Sequence, residues 1–180
     1  MSTQSITKWA IDPTHSEIGF KAKHLMMTTV SGKFEKFTGT AETEGEDFSN
    51  AKVELTIETA SVNTTNEQRD GHLKSGDFFD AAKFPQLKFV STGVNKTGDK
   101  KFELNGNLTI KDVTQPVKLE VEYHGAMKDP WGNIKAGFSV TGTIKRKEWG
   151  LNWNATLETG GLLVSEDIKI NCEVQFAKQA

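Results

Sequence analysis

Along most of the chain, apolar and polar residues alternate with a period of two, the spacing that sends successive side chains to opposite faces of a sheet. Val53, Leu55, Ile57 and Thr59 alternate with Lys52, Glu54, Thr56 and Glu58. Phe102, Leu104, Gly106, Leu108 and Ile110 alternate with Lys101, Glu103, Asn105, Asn107, Thr109 and Lys111. The same rhythm returns in Val117, Leu119, Val121 and Tyr123, and again in Ile168, Ile170, Cys172, Val174 and Phe176, each set separated by Lys, Glu, Asn or Gln. With Ile18-Phe20-Ala22, Leu87-Phe89 and Ala136-Phe138-Val140-Gly142-Ile144, the pattern predicts about eight strands, each with one dry and one wet face.

Turn-forming stretches at 95–99, 111–113 and 129–132 separate these segments, so an antiparallel meander is the economical topology. Closing it into an all-β barrel removes the exposed edges and leaves an interior that side chains just fill or that holds one small ligand. A β-sandwich is the alternative. Gly32, Gly39, Gly106, Gly125, Gly137 and Gly142 fall inside strands and favour the barrel, because glycine permits bends or leaves room beside a ligand. One stretch breaks the alternation. Residues 66–75 are polar and helix-compatible, and an aromatic turn with Phe78, Phe79 and Phe84 follows before Pro85. A short helix capping one end of the barrel is expected, its aromatic turn serving as a lid over a cavity or as the plug of a barrel end.

Length and composition fit one folded domain over 1–180, with 36% hydrophobic and 26% charged residues and only four prolines. Lys plus Arg total 22 against 24 Asp plus Glu, interspersed along the chain. No basic face emerges that could neutralise a phosphate backbone, which argues against nucleic acid as a partner. No run approaches the ~18 apolar residues of a membrane span. The opening MSTQSITKW lacks the basic start and apolar stretch of a secretory signal, so a cytoplasmic location is expected, or a periplasmic one if a signal has been removed. The single cysteine, Cys172, falls within a strand pattern and is expected to be a buried, inert thiol.

Candidate chemistry is sparse. His15, His24, His72 and His124 show no metal-ligand spacing, and no GxSxG, GxxxxGK[ST] or strand-linked GxGxxG is present, so no metal, no cofactor and no catalytic residue is expected. The only arginines are Arg69 and Arg146, the residue type suited to planar, bidentate binding of phosphate or carboxylate. Arg146 shares parity with Phe138, Val140 and Ile144, so on a regular strand its guanidinium points inward, either to a polar head group or to a carboxylate such as Asp77 or Asp80 that seals the barrel end. His24 is in phase with Ile18, Phe20 and Ala22 and is placed to bond a ligand or a backbone carbonyl. Arg69, Asp70 and His72 form either a head-group site or a local ion pair that orients the helix.

The stretches WAIDPTHS (9–16), FKAKH (20–24), RDGHLKSGDFFD (69–80), Phe84-Pro85 with Phe89 and Ser91, GNLTI (106–110), Gly137-Phe138 and RKEWG (146–150) resemble the YceI-like family over nearly the whole chain. The resemblance implies a lipocalin-like, eight-stranded antiparallel barrel with a long apolar tunnel that holds a polyisoprenoid chain, its head group near the opening, often in a homodimer. Trp149 stands where relatives often carry Phe, and 150–166 reads as a connection or a cavity-lining segment. On this basis the ligand-binding wall is expected from Phe20, Phe34, Phe37, Val53, Leu55, Ile57, Phe78, Phe89, Leu104, Leu108, Phe138 and Val140, with His24, Arg69 and Arg146 at the head group. Each five-carbon unit buried in a dry tunnel offers ~4 kcal/mol before binding costs, at ~0.8 kcal/mol per CH₂. A carrier or scavenger of a polyprenyl phosphate or isoprenoid quinone is expected. An enzyme acting on such a lipid, with Glu17, Asp70 or His24 as acid or base, and a filled barrel acting by protein interaction are the alternatives.

Overall fold

The alternating segments pair, each with its neighbour in sequence, into one antiparallel sheet that closes on itself; the computed structural model describes residues 5–154 and 163–179. The strands are β1 (Ile6–Ile11), β2 (Glu17–His24), β3 (Thr28–Phe34), β4 (Phe37–Glu44), β5 (Asp47–Glu58), β6 (Val62–Asn63), β7 (Gln86–Gly98), β8 (Lys101–Ile110), β9 (Val113–Lys128), β10 (Ile134–Lys145) and β11 (Asp167–Lys178). One helix, α1 (Glu67–Lys74), lies between β6 and β7.

Six of these segments join end to end as three bent strands. β1 and β2 both pair with β11, β3 pairs with β2 and β6, and β4 pairs with β1 and β5. Counted this way the sheet is an eight-stranded up-and-down barrel, closed where β11 meets β1 at Trp9↔Lys178 and β2 at Ile18↔Cys172. Closure satisfies the edge hydrogen bonds that an open sheet would expose. The break between β1 and β2 is a 3₁₀ turn, Pro13–His15, in which the Asp12 carboxylate accepts from the Thr14 amide at 3.1 Å.

Alternation did not mark β1, β3 and β4. The inward positions of β4 are Phe37, Gly39, Ala41 and Thr43, mostly small residues that carry little hydrophobic contrast. Trp9 faces Ala41 and its indole N–H donates to the Thr43 hydroxyl at 2.9 Å in the core, while Leu55 and Ile11 take the space at Gly39. The turn expected at 95–99 is also shorter, since β7 runs on to Gly98.

Two glycines show what the barrel needs of them. At Gly106 a Cβ would lie 2.4 Å from the Phe89 ring, so only glycine lets that ring lie flat on β8. Gly125, at φ +101°, sits in a bulge where the register slips from Gly137↔Gly125 to Phe138↔Tyr123. The extra residue re-phases the strand so that Ala126 stays opposite Ala136, while Tyr123, in phase with Val121, stacks inward on Phe138 with centroids 5.1 Å apart.

The register also fixes two ends. At the finish of β11, Phe176 faces Ala136 and Ile11. There Phe48 meets Trp9 at 5.0 Å and Phe138 at 4.9 Å, and Phe138 meets Phe176 at 6.1 Å, an aromatic floor. The start of β11 marks the rim, where Ile168 faces Ile144 and β10 gives way to a 3₁₀ turn, Arg146–Trp149. Helix α1 stands at the rim, its N-terminus capped by the Asn66 side chain accepting from the Arg69 amide at 3.0 Å.

Candidate functional site

Between floor and rim the inward faces of the strands enclose a cavity of about 730 Å³. That is the scale of a site for one chain-like ligand, in the range of ~300–1,000 Å³ typical of small-molecule sites. The wall is aliphatic and aromatic for most of its depth. Of the residues expected there, Phe20, Phe34, Val53, Leu55, Ile57, Phe78, Phe89, Leu104, Leu108, Phe138 and Val140 do line it. Phe37 does not: it is buried beside Ile57, packed into the core rather than facing the lumen.

Polar wall residues gather at the rim. Lys23 and His24 come from the end of β2, Thr64, Asn66, Gln68, Arg69 and His72 from α1 and its approach, and Arg146 from the turn after β10. Among the described residues no aspartate or glutamate lines the cavity, so the charged groups on its wall are basic and sit over an apolar shaft.

Arg146 organises this rim, by a different route from either expected one. β10 stops at Lys145, so Arg146 lies in the 3₁₀ turn rather than on a strand. It is 3% exposed and pairs with neither Asp77 nor Asp80. Its guanidinium donates to the carbonyls of Ser165 at 2.9 Å, Leu151 at 2.7 Å, Trp153 at 2.8 Å and Val164 at 3.4 Å. Burial lowers its pKa and Glu166 opposes that shift. A planar fork with five donors can meet four carbonyls at once, one more than the three donors of a lysine could serve.

Arg69 is likewise engaged, through Thr64: its Nε donates to the Thr64 hydroxyl and its Nη2 to the Thr64 carbonyl, each at 2.8 Å. The Thr64 hydroxyl and amide in turn donate to one oxygen of Asp70 at 2.5 and 2.8 Å. Arg69 and Asp70 therefore share Thr64 instead of forming a direct pair, and the carboxylate fixes the approach to α1. His72 bonds Asp77 at 2.9 Å and presents its ring edge-on to Phe78 at 5.1 Å and Trp153 at 4.6 Å. Phe79 leans on Phe34 at 5.8 Å, so the aromatic turn after α1 belongs to the rim, while Phe84 stands off the wall. His24 lines the cavity and forms a bridge to Val164. Glu17 is on the outer face, exposed.

Sequence reasoning missed Phe48 and Thr64 as wall residues, and left 150–166, which holds Trp153 and Val164, open between a connection and a cavity-lining segment. Of the segment 150–166, residues 155–162 lie outside the described residues; the described part, Leu151, Trp153, Leu163 and Val164, lines the cavity. Nothing in its pattern points inward, because the backbone is held by Arg146 rather than by a ladder. Cys172 also faces the lumen, and burial pushes its thiol up to about 11. Among the described residues no three of His, Cys, Asp and Glu stand together as a metal site, and no helix is long and apolar enough to cross a membrane.

A family model described as "YceI-like domain" matches residues 9–176. A UPF0312 protein of Staphylococcus aureus (strain USA300) is 40% identical over 173 residues, covering 96% of this chain and 98% of the relative. Among solved structures, the Campylobacter jejuni YCEI protein is 33% identical with a TM-score of 0.75, covering 88% of this chain and 90% of that one. Burkholderia cenocepacia BcnA, 22% identical, aligns with a TM-score of 0.79 over 92% of this chain and 98% of its own. A polyisoprenoid binding domain from Saccharophagus degradans, 15% identical, aligns at 0.67 over 95% and 98% of the two chains. The last two establish the shared barrel.

Proposed function

The chain belongs to the YceI-like family, and from that premise we propose that it binds a polyisoprenoid lipid, tail down the barrel and head group at the rim, as a carrier or sequestering protein. The observation that carries the reading is the division of the cavity wall: an apolar shaft from floor to rim, and polar lining gathered at the rim, where the described lining residues include basic and amide groups and no carboxylate. An apolar tail gains ~0.8 kcal/mol for each CH₂ moved from water into such a shaft, before the cost of immobilising it. Lys23, His24 and the unbonded edge of the Arg69–Thr64 cluster favour a head group that accepts hydrogen bonds, such as a phosphate or a quinone carbonyl. The name of the Saccharophagus degradans neighbour supports the class of ligand.

On this reading tail length and head group fall to different residues. Tail length follows the depth of the shaft down to Phe48 and Phe138, and head-group preference follows the rim. Binding rather than turnover is the reading supported, since Asp70 is held by Thr64 and Glu17 faces outward, which leaves His24 alone of the three candidate acid or base groups on the wall. Equilibrium titration of delipidated protein with prenyl phosphates and prenyl quinones of increasing chain length, followed by tryptophan quenching, tests it. Affinity that climbs with each unit and then stops at a defined length supports a shaft with a floor; affinity for none of them defeats the proposal.

A further inference from the structure

The β2–β3 hairpin carries an uncommon tip at the rim. The Met27 amide donates to the His24 carbonyl at 3.0 Å, closing a tight turn within the three-residue loop 25–27, and its central residues, Leu25 at φ 54° and Met26 at φ 56°, both lie in the left-handed region. Turns of this kind favour Asn-Gly or Asp-Gly, because a Cβ disfavours positive φ. An apolar pair there works against folding. Nor does the tip bury its thioethers: Leu25 is half-buried, but Met26 is 67% and Met27 78% exposed. The flanking strands are basic, with Lys21, Lys23 and Lys33 and no acidic residue between Ile18 and Phe34.

This tip is fastened to the cavity edge. The Leu25 amide donates to the Leu163 carbonyl at 2.9 Å and the Ser165 amide to the Lys23 carbonyl at 3.0 Å. The Lys23 amide meets the Ser165 hydroxyl at 2.9 Å, and His24, directly behind the tip, lines the lumen. We infer that the Leu25-Met26-Met27 tip docks the barrel on a lipid bilayer, the two thioether chains entering the apolar boundary while Lys21 and Lys23 meet anionic head groups. Docked so, the rim faces the bilayer and a long apolar chain passes between leaflet and shaft without crossing water. The purpose of the docking rests on the lipid-binding reading; its geometry does not.

A second apolar tip serves as the control. The β9–β10 turn exposes Trp131 at 82% and Met127 at 78%, but it lies at the floor. On the common strand β11, Lys135 faces Ala177 whereas Lys21 faces Lys169, so the two tips stand at opposite ends. A bilayer engaged by Trp131 would leave the rim facing away.

The test is flotation of the full chain with unilamellar vesicles of phosphatidylcholine, with and without phosphatidylglycerol. The protein is expected to float with the anionic vesicles. Met26→Ser/Met27→Ser lowers vesicle affinity by about tenfold or more, as expected for losing two inserted side chains, and Leu25→Asn/Met26→Gly, which removes one of the two thioethers, lowers it by about threefold or more. Trp131→Ser leaves it unchanged. The Asn-Gly variant unfolds at higher denaturant than the parent, since it relieves the left-handed strain, so its loss of flotation is not a folding failure. Binding of farnesyl monophosphate without vesicles is measured in parallel and stays intact in both tip variants. Flotation that is absent from the parent, or that survives both tip changes, overturns the inference. So does a change in sedimentation on altering the tip, which would assign it to contact between copies. Loss of farnesyl phosphate binding by the parent, with flotation intact, would instead overturn the lumen reading and leave the docking standing.

Discussion

Arg146 and Trp153 are joined at the rim by a 2.8 Å hydrogen bond from the guanidinium Nη1 to the Trp153 carbonyl. The same nitrogen holds Leu151, and the Trp153 ring so positioned packs on His72 and Phe78. One buried cation thus couples the turn after β10 to the helix that stands over the cavity. Arg146→Lys keeps the charge but has no planar fork, leaving buried carbonyls with fewer donors. A loss of roughly 3 kcal/mol in unfolding free energy is expected, read by urea denaturation, with the lysine variant also releasing the Trp153 environment in near-UV dichroism.

The shaft should set chain length. Leu104 lines it, facing Leu119 across the β8–β9 pair and away from the rim groups. Leu104→Trp is expected to shorten the longest prenyl chain accommodated while leaving head-group preference unchanged. The check is a chain-length series of prenyl alcohols and phosphates against parent and variant. A variant that keeps the parental length cut-off would place the tail elsewhere.

Acid sensitivity is expected from the β1–β2 break. Lys135 beside Asp12, with His15 and Thr14 also donating, holds the Asp12 carboxyl well below the usual carboxylate range. A group whose folded pKa lies below its unfolded value of ~3.9 stabilises the fold above that value and loses the contribution as pH falls through it. Asp12→Asn should therefore be less stable than the parent at pH 7, with the gap closing steadily below about pH 4. Denaturant midpoints across pH show this directly; a gap independent of pH would remove Asp12 from the account.

Cys172 is buried with its thiol pushed up to about 11 by desolvation. At pH 8 its thiolate fraction is small, and iodoacetamide should alkylate the native protein about a hundredfold or more slowly than the urea-unfolded chain. Equal rates would mean that the lumen admits both water and thiolate. Occupancy of the shaft by a lipid should slow the native rate further, because Cys172 lies on its wall.

Much of the barrel was legible because eight-stranded closure leaves a period-two signature wherever inward residues are large, as in Leu104, Leu108, Phe138 and Val140. It was not legible in β4, where the inward residues Gly39, Ala41 and Thr43 are small or polar, the last two set against Trp9. The wall of the cavity was largely readable from parity, Phe37 excepted, since lumen and core share one face of each strand and parity cannot separate them. The rim was readable only as a set of scarce residue types. Both arginines are there, yet what they touch is decided by carbonyls and by Thr64, partners that no side-chain pattern announces. Thr64 is the clearer case, for it is an unremarkable threonine in sequence and 2% exposed in the fold.

The most direct measurement is native mass spectrometry of the protein purified without detergent, followed by solvent extraction and identification of whatever is released. The account predicts a stoichiometric adduct that extracts as a long-chain polyisoprenoid. A bare chain mass, with no adduct formed on incubation with prenyl phosphates or prenyl quinones, would contradict it and leave the shaft without its proposed cargo.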